Sequence, residues 1–237
     1  MLDKVQEIKN TNEQIIEKTE QLREENKQRS VYIKKWKDRV EIENMMGRFA
    51  ILYSAGQYDR LMDYFADTDQ IYLQRSDIGI YEGRSAIRGF FQNLQAHAVA
   101  GSFRMMNLTS PVIQVADEGQ TAQGMWYNNG LEAIKDIDHP DAPAADMWIN
   151  DKVAVEFLET SEGWKILRMT ICEEMRGLYH KSWGEYCEIP EYPKFDTFPT
   201  PARKATKHLP FRIDRKSQKN LTTPEPYVSY ETLAEHF

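Results

Sequence analysis

The sequence predicts an α+β protein in which helices precede a sheet of long strands, and three observations support this fold class. Apolar side chains recur at helical spacing in the first part of the chain, as at Met45, Met46 and Phe49. From residue 103 onward, long runs alternate apolar and polar residues and are joined by tight turns. Seven of the ten prolines lie in residues 181–237, which therefore interrupt both regular patterns.

Residues 1–38 predict one uninterrupted helix, because they contain neither proline nor glycine. Apolar residues follow a three-four spacing at Ile8, Ile15, Leu22, Ile33 and Trp36. Polar residues fill much of the same stripe, which a self-sufficient coiled coil would keep drier. We expect a helical arm that lies on its own domain or on a dimer partner; a two-stranded coiled coil and a frayed arm are the alternatives.

The central domain is expected over residues 39–180, and its helices come first. These elements are a helix at 39–55 ended by Gly56, a short helix at 58–65, a short strand at 71–74 and a helix at 85–98. Long strands follow at 103–115, 121–133, 147–160 and 164–176, with a polar loop at 135–146. Two hairpins of such long strands can form a strongly curved sheet.

Residues 181–237 predict an extended C-terminal strap. Aromatic residues are interleaved with the prolines, at Tyr186, Tyr192, Phe195, Phe198, Phe211, Tyr227 and Tyr230. So many aromatic side chains are unusual in a solvated disordered tail. We therefore expect the strap to pack on the domain or on a dimer partner, either as plain surface cover or as a lid over a pocket.

Charge and composition exclude several classes of function. The net charge is −7 and lies mainly between the two terminal segments, which argues against nucleic acid as a partner. No run of eighteen apolar residues predicts a membrane span, and the N-terminus lacks the apolar core of a secretory signal, so a cytoplasmic location is expected. Two cysteines and five dispersed histidines predict neither a disulfide framework nor a metal site.

Several short motifs between residues 39 and 176 carry a family resemblance. They are Gly56-Gln-Tyr-Asp59, Phe65-Ala-Asp67, Gly83-Arg-Ser-Ala-Ile-Arg-Gly-Phe-Phe91, Pro111-Val-Ile-Gln-Val115 and Glu162-Gly-Trp-Lys-Ile166. In this order they resemble the SnoaL-like, or nuclear transport factor two-like, superfamily, which includes polyketide cyclases, dehydratases and ketosteroid isomerases. The resemblance implies a cone, in which a bent antiparallel sheet wraps around helices and encloses a pocket. It also implies chemistry without metal or organic cofactor.

The chain departs from the dehydratase members at three positions. Those members resemble this chain but carry a Tyr and an Asp five residues apart on the first helix, and a His on a later strand. The corresponding positions hold Phe49, Ser54 and either Met106 or Thr109. The usual proton-transfer set is therefore not retained.

Other side chains are candidates for the same role. On the last strand Arg168, Thr170, Cys172 and Glu174 share one face, and Met169, Ile171 and Glu173 share the other. A carboxylate buried beside Arg168 or Arg176 is the expected base, so the catalytic candidates are Tyr53, Glu173 and Arg168. The ligand-binding candidates are Phe49, Arg104, Asn107, Trp126 and Trp148. Glu132 and Asp146 flank the polar loop and are expected to be solvated.

The favoured hypothesis is a cofactor-independent lyase, dehydratase or isomerase that acts on an apolar, hydroxylated aromatic or polycyclic molecule. A binding protein with the same pocket and no turnover is one alternative. A structural dimerisation module is the other. A homodimer through the outer face of the sheet is expected in each case.

Overall fold

A computed structural model describes residues 2–139, 141–182, 184, 199–206, 210–213, 216, 221–233 and 237. The chain divides into two compact units, Met1–Val40 and Glu41–Phe237. The predicted strap residues from Tyr186 to Phe198 lie outside the described residues. No helix in the described parts of the chain is both long enough and apolar enough to cross a membrane.

The first unit is helical. Its residues form the first part of helix α1, Leu2–Ser54. The sequence predicted two successive helices over this range, whereas the structure has one. Side chains one turn apart bond to each other or to the backbone, as in Thr19 Oγ1 to Ile15 O at 2.7 Å and Lys34 Nζ to Asp38 Oδ2 at 2.9 Å. The apolar stripe of Ile8, Ile15 and Leu22 is exposed.

The second unit is an α+β fold with one seven-stranded sheet, which confirms the predicted fold class. After α1 come a 3₁₀ helix, Tyr58–Tyr64, strands β1 Tyr72–Arg75 and β2 Gly79–Glu82, and helix α2 Gly83–Ala96. Strands β3 Phe103–Met105, β4 Leu108–Val115, β5 Thr121–Ile134, β6 Ala145–Thr160 and β7 Gly163–Leu178 follow, with a last 3₁₀ turn at Tyr230–Thr232. The strand order is β2-β1-β7-β6-β5-β3, and β4 also pairs with β5.

Two details of the sheet differ from the sequence prediction. The sheet is mixed rather than antiparallel, because β1 runs parallel to β7, with Tyr72 opposite Arg168. The predicted strand 103–115 is two strands, because Met106 and Asn107 separate β3 from β4. Within β4 the register shifts after Thr109, where Ser110 adopts a left-handed φ of 53° before Pro111.

The core lies between the inner face of the sheet and the two helices. Helix α1 contributes Ile42, Met46 and Phe49, and α2 contributes Ile87, Phe90, Phe91 and Leu94 at helical spacing. Alternate residues of the long strands, such as Val153 and Val155, complete it. Gly56, with a φ of 69°, ends α1 in a left-handed cap that redirects the chain into the 3₁₀ helix.

Part of the outer face of the sheet is covered by described C-terminal residues. Leu221 packs with Met125, Ala154 and Cys172 of the outer face. Arg203 pairs with Ile80 in an antiparallel bridge beside β2. The described strap residues therefore belong to the surface of this unit, opposite the helices.

Candidate functional site

A row of polar side chains crosses the middle of the inner face. Asn128 of β5 lies opposite Asp151 of β6, which lies opposite Glu173 of β7. Strand alternation places all three on the side that also carries Trp126, Val153 and Ile171, so they are buried among apolar residues. Such a row is costly unless its members have partners.

Arginine side chains form ion pairs with most of the carboxylates in and beside this row. Arg75, at the end of β1, donates two hydrogen bonds to Asp77, Nε to Oδ1 and Nη2 to Oδ2, both at 3.0 Å. Arg176 Nη2 lies 3.0 Å from Asp77 Oδ2 and 2.8 Å from Glu173 Oε2. Burial alone would raise the pKa of Asp77, but the two guanidinium groups outweigh it and hold that pKa well below its usual range.

Asp151 is the exception in this inner charged cluster of Arg75, Asp77, Asp151, Glu173 and Arg176. Burial raises the pKa of Asp151 to about 7, although the charge of Arg75 and a hydrogen bond from Asn128 oppose the rise. Asn128 Nδ2 donates to Asp151 Oδ2 at 3.0 Å, and the backbone N–H of Asn107 fixes the amide by donating to Asn128 Oδ1 at 2.9 Å. Unlike its two acidic neighbours, Asp151 has no ion pair within the described residues.

A second polar group lies beside this cluster. Arg104 of β3 pairs with Glu132 of β5 at 3.7 Å, and both side chains are buried. The Tyr58 hydroxyl is hydrogen-bonded to Arg104, and the Tyr53 ring meets the Tyr58 ring edge-on at 5.2 Å. Burial, reinforced by the charge of Glu132, raises the pKa of Tyr53 above its usual value, so its hydroxyl keeps its proton. Tyr53 also experiences the charges of Arg75 and Arg104, and it therefore links the two groups.

A cavity of about 220 Å³ leads to this second group from the surface. It lies between the end of α1, the segment after α2 and the start of β3. Its lining includes Ser54, Gly56, Tyr58, Ser102 and Arg104. We call it the mouth cavity. It gives a small molecule a route to Arg104 and Tyr58.

Three of the predicted site residues lie in one or the other of these two polar groups. Tyr53 and Arg104 lie in the second polar group, and Glu173 lies in the inner charged cluster beside Arg176. The predicted faces of the last strand also match, because Met169 and Ile171 are core residues whereas Cys172 packs on the outer face.

Two further predicted residues are core packing. Phe49 meets Tyr64 and Phe91 edge-on, at 5.8 and 6.4 Å between ring centroids. Trp126 meets Phe157 in the same way at 6.2 Å. Both are nearly inaccessible to solvent. Their rings pack on other core aromatic residues where the sequence analysis expected contact with a ligand.

Three predicted residues lie away from the inner site. Arg168 is on the outer face, 3.7 Å from Glu156 and over the rings of Tyr72 and Tyr230. It lines a larger cavity of about 710 Å³ there. Trp148 is 43% exposed and stacks on Tyr179. Asn107 has an exposed side chain and supports the site only through its backbone N–H.

The sequence analysis missed Asp151, Asn128, Arg75 and Asp77, and it misplaced Glu132. The polar loop was expected to keep Glu132 solvated, but the side chain is on the inner face of β5 and pairs with Arg104. A usable signal was present for Asp151. It occupies the alternating register of Ile149, Val153, Val155 and Phe157, where a carboxylate among apolar side chains marks a buried charge.

Ser54, at the position implied for the family's Asp, is adjacent to Met106, one of the two positions implied for the His; the other is Thr109. Met106 N donates to Ser54 Oγ at 2.9 Å, and Ser54 Oγ also bonds to Ala50 O at 2.8 Å. Ser54 and Met106 are therefore in contact, but a serine and a methionine or threonine stand where the family's proton-transferring side chains would be. Within the described residues, no three His, Cys, Asp or Glu side chains cluster as they would around a metal ion.

Comparison with known proteins gives one family. The sequence profile of the SnoaL-like domain matches residues 34–170, more than half of the chain. No curated protein matches the chain significantly.

Solved structures share the fold. LinA is 13% identical with a TM-score of 0.53, over 67% of this chain and 99% of that one. A candidate dehydratase of the NTF2-like family from Streptomyces avermitilis is 16% identical with a TM-score of 0.50, over 59% and 98%. A candidate aromatic ring hydroxylase from Novosphingobium aromaticivorans is 26% identical with a TM-score of 0.48, over 57% and 87%. On the strength of the matched profile, the chain belongs to the SnoaL-like family.

Proposed function

We propose that this protein is a cofactor-independent lyase, dehydratase or isomerase that acts on an uncharged, oxygenated ring compound by proton transfer inside the cone. The observation that carries the proposal is Asp151, a buried carboxyl whose pKa burial raises to about 7. A group that both accepts and donates a proton near neutral pH is the group that acid/base catalysis requires.

The surrounding charges favour Asp151 over its neighbours as the base. Asp77, Glu173 and Glu132 are each paired with an arginine, namely Arg75, Arg176 or Arg104. These six charges balance, so an ionised Asp151 leaves one excess negative charge in the buried region. When Asp151 accepts a proton from a substrate carbon, this negative charge passes to the substrate as an enolate, whose oxygen the guanidinium of Arg104 stabilises.

Tyr53 and Arg104 suit the complementary role of holding a substrate oxygen. The Tyr53 hydroxyl keeps its proton because burial raises its pKa, and it can therefore donate a hydrogen bond. Arg104 adds a fixed positive charge that stabilises an oxygen on which negative charge develops. In this proposal Tyr53, Asp151 and Arg104 take the catalytic roles that Tyr, Asp and His have in the family.

The test is the Asp151→Asn variant, which keeps the shape of the side chain and removes the titrating group. Suitable substrates are single-ring β-hydroxy ketones such as 3-hydroxy-1-phenylbutan-1-one, whose loss of water forms a conjugated ketone that absorbs in the ultraviolet. We expect kcat to fall by about 100-fold or more, and the change in rate with pH near 7 to disappear. Ligand affinity should remain.

Asp141→Asn is the matched control, because Asp141 is exposed on the loop between β5 and β6. Its pH–rate profile should equal that of the wild type. Wild-type turnover and pH dependence in Asp151→Asn would rule out Asp151 as the base.

A non-catalytic binding role for the same site is the second candidate. The observation that favours it is the presence of Ser54, and of Met106 or Thr109, at the positions where the family resemblance implies an Asp and a His. Binding of the β-hydroxy ketones by the wild type, with no loss of water at any pH between 5 and 9, would support this role over catalysis.

A further inference from the structure

We infer that the mouth cavity selects a single-ring, uncharged ligand by its carbonyl or hydroxyl oxygen, and that Ser102 is the residue that recognises this oxygen. The inference rests on the proposed function for the use of the site and adds its substrate class. Ser102 has no role in proton transfer as proposed above, so the two ideas can fail separately.

Ser102 presents a polar atom that the protein does not satisfy. Its backbone N–H donates to Val99 O at 2.9 Å, which holds the turn between α2 and β3 in place. Its Oγ is buried and has no hydrogen-bond partner within the described part of the chain. A buried hydroxyl without a partner is costly, and such groups in folded proteins usually bind a water or a ligand. Ser102 lines the mouth cavity, and rotation about its Cα–Cβ bond would turn this hydroxyl toward a molecule that fills the cavity.

Two other hydrogen-bonding groups converge on the same space. Arg104 and Tyr58 line the cavity together with Ser102. A hydroxyl and a guanidinium both donate, so the atom they recognise together is an acceptor oxygen. Ala55, Ala98 and Val99 supply an apolar wall for the rest of the ligand.

The size of the cavity limits the ligand. An apolar cavity of about 150 Å³ is enough for benzene, whereas drug-sized ligands occupy roughly 300–1,000 Å³. At about 220 Å³ the mouth cavity holds one ring with a short substituent. A skeleton of four fused rings would extend out of it into solvent.

The charge of the cavity favours a neutral ligand. Arg104 is the cationic group of the lining, and Glu132 lies 3.7 Å from its Nε. A carboxylate ligand would gain the attraction of Arg104 but would meet the repulsion of Glu132 at nearly the same place. A carbonyl or hydroxyl group accepts hydrogen bonds without that repulsion.

The experiment compares acetophenone with α-methylstyrene, which has the same shape but a methylene group in place of the carbonyl oxygen. Affinities are measured by ligand-observed NMR titration and calorimetry on the full chain. The wild type should bind acetophenone more tightly than α-methylstyrene, benzoate or androstenedione. Ser102→Ala should weaken acetophenone binding about three- to tenfold and leave α-methylstyrene unchanged.

Ser161→Ala is the control, because Ser161 is exposed in the turn between β6 and β7. It should bind both probes as the wild type does. Equal wild-type affinity for acetophenone and α-methylstyrene, or tighter binding of benzoate or androstenedione, overturns the inference without any variant. No binding of acetophenone by the wild type overturns it too.

The Asp151→Asn variant separates this inference from the proposed function. It should bind acetophenone as the wild type does, and Ser102→Ala should have the same effect in its background. A pH–rate profile that Asp151→Asn leaves intact would remove the proposed catalytic role and leave the ligand selection by Ser102 standing.

Discussion

At the scale of single residues, Asp151 lowers the stability of the fold whenever it is ionised. Its carboxyl is buried on the inner face, where only Asn128 among the described residues bonds to it directly. Burial raises its pKa in the folded protein to about 7, whereas an unfolded chain has an ordinary pKa of about 4. A buried carboxyl that destabilises the fold when it ionises, and that has no ion pair to offset this loss of stability, is typical of functional sites.

The sign of the resulting pH dependence follows from this difference. Between pH 4 and 7 the folded protein keeps a proton on Asp151 that the unfolded chain has released, so stability from this group is full below pH 4 and falls as the pH rises to 7. Asp151→Asn lacks this loss. Relative to the wild type, its free energy of unfolding should therefore rise by up to about 4 kcal/mol from pH 4 to pH 7.

Urea unfolding at pH 4, 5.5 and 7 measures this relative change. Asp141→Asn, at an exposed loop position, should show a constant difference from the wild type. A constant difference for Asp151→Asn as well would mean that Asp151 is ionised throughout this range.

The sequence analysis could predict a site residue when the alternation of its own strand showed that its side chain is buried. Glu173 follows Met169 and Ile171 in strand alternation, so its burial could be predicted. Its partner Arg176, on the same strand, was one of the two arginines expected beside such a carboxylate. Arg75 and Asp77, which complete the cluster around Arg176, could not be predicted, because they come from a distant segment and no local pattern brings them to β7. Ser102 likewise gave no signal, since its unsatisfied hydroxyl depends on the packing of three separate segments.

At the scale of secondary-structure elements, one glycine allows β3 to approach β5. A Cβ on Gly130 would lie 2.5 Å from the backbone oxygen of Met105, closer than real Cβ atoms approach. Met105 directly follows Arg104, the residue that joins the mouth cavity to the second polar group. The position of this short strand, and hence of Arg104, depends on the missing side chain.

Gly130→Ala should therefore destabilise the protein by about 2 kcal/mol, because the clash is with backbone and cannot be relieved by a side-chain rotation. It should also weaken acetophenone binding by displacing Arg104. Gly47→Ala is the matched control, since nothing lies within 4 Å of a Cβ there and the site is an exposed helical position. That change should stabilise by roughly 0.5–1 kcal/mol. Denaturant unfolding measures both, and equal effects would contradict the clash.

The order and type of most elements and the two hairpins followed from local patterns, whereas the pairing of β1 with β7 did not. The turns at Gly119 and Gly163 and the alternation of β5 to β7 predicted the long hairpins. Strand β2 was not predicted, because its four residues are too few to show a period. The break between β3 and β4 was missed because it falls at Met106 and Asn107, where no glycine or proline marks it.

At the scale of the whole second unit, Glu156 connects the sheet to the C-terminal residues. It is fully buried on the outer face and lies 3.7 Å from Arg168. Tyr230 donates its hydroxyl proton to Glu156 Oε2 at 2.8 Å, and Phe237 N donates to Glu156 Oε1 at 3.0 Å. The strap thus packs on the sheet through a buried carboxylate as well as through Leu221. Whether a second copy also binds this face, as the sequence analysis predicted, stays a prediction.

Tyr230→Phe removes one hydrogen bond to this carboxylate and keeps the ring. Because such a bond contributes about 1 kcal/mol, amides in residues 221–233 should exchange about fivefold faster with solvent. The amides of Asp117 and Glu118, which donate to Tyr227 O and Val228 O, should follow. Hydrogen-exchange mass spectrometry measures the rates. The control Tyr179→Phe, at an exposed ring, should leave the exchange rates unchanged. Unchanged rates in Tyr230→Phe as well would mean that apolar contacts alone hold the strap.

The parallel pairing of β1 with β7 also determines when the protein can first function. Tyr72 must meet Arg168, and Arg75 must meet Arg176 across Asp77, although nearly the whole domain lies between them in the chain. Contacts of such long range form late, because loop closure must precede any gain from them. A ribosome-bound chain that has not yet emerged through β7 therefore lacks the buried ion pairs of Asp77 and Glu173 with Arg176. The activity proposed above should be absent until β7 has been synthesised.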